Sequence, residues 1–401
     1  MSAALLIFAG TYAVIALGRA PGLRLDRTGA ALLGASLMVA AGVLMPAQAW
    51  RAIDANTLVL LLGMMILVAH LRLAGFFGLV ARWAGEHAHR PALLLIAVVA
   101  VTGVLSAFLV NDTVCVMLAP LVAEIVLATK RKVEPYLLAL ALASNAGSVA
   151  TITGNPQNIV IGSISRIPYT EFAAALAPVA IVSLVIVAGA VLLAYRAEFR
   201  SAQRLDASPQ PLPLHRWLLA KSLVATLGAV AAFFAGVPPA EAAIVAGSLL
   251  LLTRRLKPQR IFVEIDWPLL LMFAGLFVVV RGLEEAAFTP AVLAEMRGLH
   301  LGRPAALALV SAVLSNLVSN VPAVLLLKPF VPGLADPHRA WLVLAMASTL
   351  AGNLTIAGSV ANLIVVERAR RSGVHISFWR HLRIGAPVTV LTILVGVWML
   401  A

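Results

Sequence analysis

Two apolar runs of this 401-residue chain carry polar side chains at their centres, where such groups are costly unless they have work to do. Residues 104–122 read VLSAFLVNDTVCVMLAPLV, with Asn111, Asp112 and Thr113 in the middle. Residues 313–331 read VLSNLVSNVPAVLLLKPFV, with Ser319 and Asn320 in the middle and Pro322 just beyond. The runs align without a gap, Ser106 on Ser315, Asn111 on Asn320 and Pro120 on Pro329. Hydroxyls and amides so placed can hydrogen-bond an anion or an oxyacid, and a carboxylate can hold a proton or Na⁺. Asn111, Asp112, Thr113, Ser319, Asn320 and Pro322 are therefore the candidate substrate site, with Asp112 the candidate for proton coupling.

Each run is followed by a segment of small and polar residues, SNAGSVATITGNPQN at 144–158 and STLAGNLTIAGSVAN at 348–362. With two compensating one-residue slips, Gly147 aligns with Gly352, Thr151 with Thr355, Gly154 with Gly358 and Asn158 with Asn362. Pro156 lacks a backbone donor and predicts a helix break near Gly154–Asn155. Carbonyls freed by a break can coordinate a cation, while half-helix N-termini present N–H groups to an anion. Ser144, Asn145, Gly147, Thr151, Gly154, Asn155, Asn158, Ser348, Gly352, Asn353, Thr355, Gly358 and Asn362 form the candidate coupling-ion set. The competing reading makes the small residues a close-packing surface between helices.

Elements that could position these segments are membrane helices. The chain is 62% hydrophobic and 12% charged, with mean hydropathy +1.00, which excludes an ordinary soluble domain. Spans are predicted at about 3–18, 28–45, 57–71, 136–163, 172–194, 217–235, 240–253, 267–281, 340–366 and 384–400. Of these, 240–253 and 267–281 are short for a bilayer. Residues 91–129 and 304–331 read as re-entrant hairpins. The net charge of +13 lies in short loops between apolar runs, a membrane-topology pattern and not a nucleic-acid footprint. With both termini outside a cell inner (plasma) membrane, the inner loops collect most of the Lys and Arg; a single crossing at 91–129 would invert that bias. The first run lacks a basic leader and reads as a retained helix.

At an offset of 212, Asp54 meets Asp266, Gly63 meets Gly275 and Ser36 meets Ser248, with opposite chain directions in this topology. The fold class is thus an all-α polytopic membrane protein of inverted repeats, about ten spanning helices plus two hairpins and two broken helices. The first repeat is 1–195 (hairpin 91–129, broken helix 136–163). The linker is 196–214, and the second repeat is 215–401 (hairpin 304–331, broken helix 340–366). Stretches 72–90 and 282–303 read as amphipathic interfacial helices, and Trp50, Trp217, Trp267, Trp341 and Trp379 as an aromatic belt at span ends.

The order of hairpin tip, then broken helix with G-x-P-x-N, resembles the ion-transporter superfamily: arsenite permeases, sodium–proton antiporters of that fold and divalent anion–sodium symporters. In the symporters both tips carry Ser-Asn-Thr. Here Ser319-Asn320 keeps two positions and is followed by Val321-Pro322, whereas Asn111 lacks the preceding Ser and is followed by Asp112. Gln157 stands where the symporters have a second proline. Asn-Asp and Ser-Asn-x-Pro are more similar to the permease and antiporter branches. The resemblance implies a secondary transporter of a small ion, an anion or oxyacid such as arsenite, an inorganic anion or a carboxylate, moved by alternating access with H⁺ or Na⁺. A sodium–proton antiporter and an ion channel are the alternatives. An enzyme is not expected.

Three roles fit Asp112: coupling-proton carrier, permanent Na⁺ ligand, or cap of its own hairpin arm. Lys328 reads as snorkelling to the outer surface, and Cys115 as core packing. The eight histidines show no metal spacing, so Na⁺ is the one metal expected, with no organic cofactor. No phosphate-binding Gly-Lys loop is present, and an ATPase would have to be a separate subunit. Expected partners are the small ion and the bilayer, with a homodimer open and nucleic acid excluded.

Overall fold

Apolar runs bounded by Pro, Gly and charged residues satisfy their backbone groups internally as helices, and that is what this chain does throughout. The computed structural model describes residues 2–18, 22–200, 214–252, 256–287 and 300–401, and every regular element among them is helical. Among the described residues, six helices are long and apolar enough to cross a membrane: Ala55–Leu73, Pro91–Phe108, Asn111–Ala128, Tyr169–Ala194, Arg216–Phe234 and Phe378–Met399. Shorter apolar helices include Arg27–Ala40, Pro239–Leu251 and Pro304–Val318. Large apolar side chains such as Leu6, Val185, Val224, Leu309 and Leu394 point outward, whereas the polar residues of 144–158 and 348–362 are mostly buried. This inverts the usual arrangement and suits a lipid surround. The chain is an all-α polytopic membrane protein.

Helices recur in matched order. Ser2–Leu17, Arg27–Ala40, Pro46–Ala52 and Ala55–Leu73 are answered by Arg216–Phe234, Pro239–Leu251, Pro258–Phe262 and Trp267–Ala287. The hairpin Pro91–Phe108/Asn111–Ala128 is answered by Pro304–Val318/Asn320–Leu327. The broken helix Val133–Ser148/Pro156–Ser165 is answered by Pro337–Ala351/Val360–Arg371, and Tyr169–Ala194 by Phe378–Met399. Asp54 and Asp266 cap equivalent helices, accepting from Thr57 N and Leu269 N at 3.0 Å each.

Several expectations are corrected. Trp267–Ala287 is a full-length helix that continues past residue 281, so 282–287 is not interfacial; 288–299 lie outside the described residues. The helix from Arg27 stops at Ala40, and the short helices Pro46–Ala52 and Pro258–Phe262 were not foreseen. Of the linker, Arg196–Phe199 is a helical turn and 201–213 lie outside the described residues. The interfacial reading of 72–90 narrows to Phe76–His87, separated from Ala55–Leu73 by Gly75 at φ +87°. Lys328 does not simply snorkel: its Nζ is 3.3 Å from Glu284 Oε1, which ties the second hairpin to Trp267–Ala287.

The two sets exchange partners. Ala55–Leu73 packs on Pro239–Leu251, and Trp267–Ala287 packs on Arg27–Ala40. A Cβ on Gly63 would lie 2.6 Å from the Ala243 carbonyl carbon, and one on Gly275 would lie 2.7 Å from that of Ala31. Gly63 corresponds to Gly275 and Ala31 to Ala243, so one contact is made twice. Because the obstructing atoms are backbone, Gly63→Val and Gly275→Val should each cost ~1–3 kcal/mol through overpacking. Gly189→Val, in open space, serves as the control. Melting of the purified variants in detergent checks this; an unchanged midpoint for either glycine variant would contradict the contact.

Candidate functional site

Unwound backbone inside a helical bundle needs hydrogen-bond partners from elsewhere. Both breaks find them the same way. Asn158 Nδ2 donates to the carbonyls of Ser148 (3.1 Å) and Thr151 (3.0 Å), and Asn362 Nδ2 to those of Gly352 (2.7 Å) and Thr355 (3.0 Å). Thr151 Oγ1 donates to the Ala107 carbonyl on the first hairpin, and Thr355 Oγ1 to Asn316 Oδ1 on the second (3.2 Å). A Cβ on Gly154 would sit 2.1 Å from the Ser148 oxygen, and one on Gly358 3.2 Å from the Gly352 oxygen.

These pairs share one ungapped register that sets Ser148, not Gly147, opposite Gly352. Gly147 does something else: a Cβ there would meet the Gly103 backbone at 2.3–2.7 Å, pressing the broken helix onto the first hairpin arm. The first break includes the expected Gly154–Asn155 but is longer. The helix ends at Ser148, a 3₁₀ turn covers Ile152–Gly154, and Pro156 is the first residue of the next helix with Asn155 as its N-cap. Pro156 starts a helix and does not break one, since proline is favoured where its missing N–H would be unpaired anyway.

At the centre, Asn145 uses its full hydrogen-bonding capacity. Its Nδ2 donates to Asn353 Oδ1 (2.9 Å) and Asn362 Oδ1 (3.2 Å). Its Oδ1 accepts from Asn111 Nδ2 (3.2 Å) and Ser359 Oγ (2.9 Å). One amide therefore joins the first tip, the first break and the second break. In the same register Thr349 corresponds to Asn145 and Asn155 to Ser359. Asn155 Nδ2 donates to Thr349 Oγ1 (3.2 Å), as does Gln157 Nε2 (3.0 Å), so the crossing is made in both directions. Asn320, with its nitrogen toward the Ser348 and Gly358 carbonyls at 3.1 Å each, accepts from Gln157 at 3.3 Å. The last helix reaches the second break too: His381 Nε2 is 3.1 Å from the Asn353 carbonyl.

The hairpin tips meet across a cavity of about 50 Å³. Asn111, Asp112, Ser319, Asn320 and Pro322 line it, together with Pro156 and Val360, the first residues of the two half-helices. Thr113 does not line it. Ser319 holds φ +76°, ψ 160°, a conformation almost confined to glycine that costs a serine about 1–3 kcal/mol. The arm from Asn111 has Val110 as its N-cap with no side-chain bond, so Asp112 does not cap its own arm. Its carboxylate instead faces the Ala361 N–H in the first turn of Val360–Arg371, a half-helix of the other set. The Asn111 Oδ1 is buried and without a partner.

Sequence reasoning missed Arg27, which lines the cavity with no hydrogen bond or ion pair of its own among the described residues. In the sequence it is one loop charge among many. It also missed Thr349 and the roles of Gln157 and Ser359, which an ungapped alignment would have exposed. Ser144 stays beside the tip, its Oγ 3.4 Å from the Asn111 carbonyl, and Ser348 Oγ bonds within its own helix. Cys115 is buried as expected.

Two substitutions follow. Asn145→Asp keeps the shape but turns two donors toward the Asn353 and Asn362 oxygens as acceptors. It should lower the melting midpoint by several degrees and abolish transport, and a midpoint at the wild-type value would contradict the hub. Ser319→Gly should raise the midpoint by relieving the backbone while weakening transport through loss of the hydroxyl. Ser319→Ala should lose the hydroxyl without the thermal gain, and equal melting of the two would remove the strain argument.

Comparison with known proteins agrees with this architecture. The citrate transporter family matches residues 5–351. The 46 kDa membrane protein of Mycobacterium leprae is 30% identical over 422 aligned positions, covering 99% of this chain and 97% of the relative. The silicon efflux transporter LSI3 of Oryza sativa subsp. japonica is 30% identical, covering 94% of this chain and 93% of the relative. The crystal structure of the Alcanivorax borkumensis YdaH transporter superposes with a TM-score of 0.60 at 16% identity, covering 99% of this chain and 95% of that one.

Proposed function

This chain belongs to the citrate transporter family and is a secondary membrane transporter, and we propose that it carries a small anion or oxyacid by alternating access, coupled to H⁺ or Na⁺. The observation that carries the reading is the shared cavity: two hairpin tips and the N-termini of two half-helices converge on one space. Half-helix N-termini favour negative charge by their dipoles, and the tip amides and the Ser319 hydroxyl supply directional hydrogen bonds. Arg27 adds a cation to the lining, and its counterpart in the other set, Pro239, does not line this cavity. In this reading both hairpins are re-entrant, the basic loops face the cytoplasm and both termini lie outside.

Asp112 is the proposed coupling residue. Ionised, its carboxylate holds the positive end of Val360–Arg371. Protonated, it loses much of that attraction, so taking up a proton loosens the contact between the first hairpin and the second broken helix. A coupling Na⁺ would use the remaining lone pairs of the break carbonyls, since Asn158 and Asn362 already occupy part of that capacity. A sodium–proton antiporter is the second reading, favoured by a carboxylate and several neutral oxygens around one cavity.

Asp112→Asn keeps the shape and much of the contact but cannot titrate. In proteoliposomes it should abolish accumulation driven by a pH gradient while retaining part of the exchange down a substrate gradient. Citrate, sulfate, arsenite and silicic acid are the substrates to screen, with Na⁺ and Li⁺ for the antiport reading. A variant that still accumulates substrate against its gradient on ΔpH alone would move the coupling proton elsewhere.

A further inference from the structure

Far from the central cavity, a second space of about 360 Å³ opens where three helix ends meet. They are the start of Val133–Ser148, the end of Tyr169–Ala194 and the start of Phe378–Met399. Lys132, Arg380 and Arg383 line it with the Tyr195 ring, and Glu134 is its only carboxylate. That carboxylate is already held: Arg380 Nη1 is 2.7 Å from Glu134 Oε2, and Tyr195 Oη donates to Glu134 Oε1 at 3.1 Å. Lys132 and Arg383 have no such partner among the described residues. Val133–Ser148 begins at this pocket without a side-chain cap, with Glu134 in its first turn. Two cations with no ion-pair partner among the described residues, lining one open space, make a site for an oxyanion such as a phosphate.

We propose that this pocket binds the phosphate of an anionic phospholipid. The source is a lipid and not a free ion because the residues next in sequence to the lining residues Ala194 and Arg380 are apolar and exposed. Leu193 and Trp379, at the ends of two of the helices that form it, are 59% and 68% exposed, the surroundings that acyl chains and a headgroup-level aromatic require. Basic pockets between membrane helices bind such headgroups. The site spans both sets of helices, Lys132, Glu134 and Tyr195 from the first and Arg380 and Arg383 from the second. A bound headgroup therefore clamps the base of the first broken helix to the last helix, whose His381 touches the second break. The proposal does not depend on the identity of the transported ion.

The test uses the full chain purified in neutral detergent, with phosphatidylglycerol or phosphatidylcholine added, read by melting and by native mass spectrometry of retained lipid. Phosphatidylglycerol should raise the melting midpoint and remain bound, with phosphatidylcholine doing neither. Lys132→Gln with Arg383→Gln should weaken phosphatidylglycerol binding ~30-fold, and either alone about fivefold, at about 1 kcal/mol per basic residue near a headgroup. Arg371→Gln, a basic residue outside the pocket that pairs with Glu367, should bind as wild type. Equal stabilisation by both lipids, or undiminished binding by the double variant, overturns the proposal. So does inorganic phosphate reproducing the shift at the same concentration, which would make the pocket a free-anion site. If the double variant does not fold, the two single variants give the same readout.

Discussion

A helix that unwinds in an apolar surround exposes carbonyls and N–H groups that no water will satisfy, and the architecture of this transporter follows from how that requirement is met. Asn158 and Asn362 meet it locally, each donating to two of the freed carbonyls. The side chain of Asn145 then ties the two sets together through four other side chains, two that it donates to and two that it accepts from. A fully satisfied polar network in a low-dielectric interior is rigid, and a partly satisfied one is costly, so these residues hold the breaks in one geometry. At the cavity, the unpartnered Asn111 Oδ1 and the Ser319 conformation mark the places at which the structure has not closed on itself.

That division separates scaffold from site. Helix pairs made by glycine against backbone give fixed distances, because neither partner has a side chain to rearrange. Hairpin tips and half-helix ends, by contrast, touch through single hydrogen bonds and one carboxylate-to-N–H contact. Motion between the sets would break few interactions at the tips and many at the glycine pairs. The tips are therefore the elements able to change partner while the breaks and the paired helices stay as they are.

Much of this was readable in the residues. The apolar runs, their duplication and the polar tips at Asn111 and Ser319 located both hairpins and both broken helices, because periodicity and proline placement are local signals. The break includes the expected Gly154–Asn155 but begins earlier, after Ser148, and Pro156 is a helix starter and not a breaker; only the cap at Asn155 decides between them. Thr349 was hidden by aligning Gly147 with Gly352, a match of residue type that ignored the contact each glycine makes. Arg27 could not be found at all from sequence, since its role depends on which loop charge turns inward to a cavity formed by residues far away in the chain. The same limit hid the pairing of Lys328 with Glu284.

The exchanged glycine contacts bear on how the protein is made. Ala55–Leu73 is synthesised long before Pro239–Leu251, the helix that its Gly63 face fits, and Arg27–Ala40 likewise precedes Trp267–Ala287. During translation the first set therefore enters the bilayer with two small-residue faces exposed, and lipid or a chaperone must occupy them until the second set arrives. Neither set can complete its own scaffold. The last-made helices release the first from that waiting state, and assembly becomes a late event of the whole chain instead of a stepwise one.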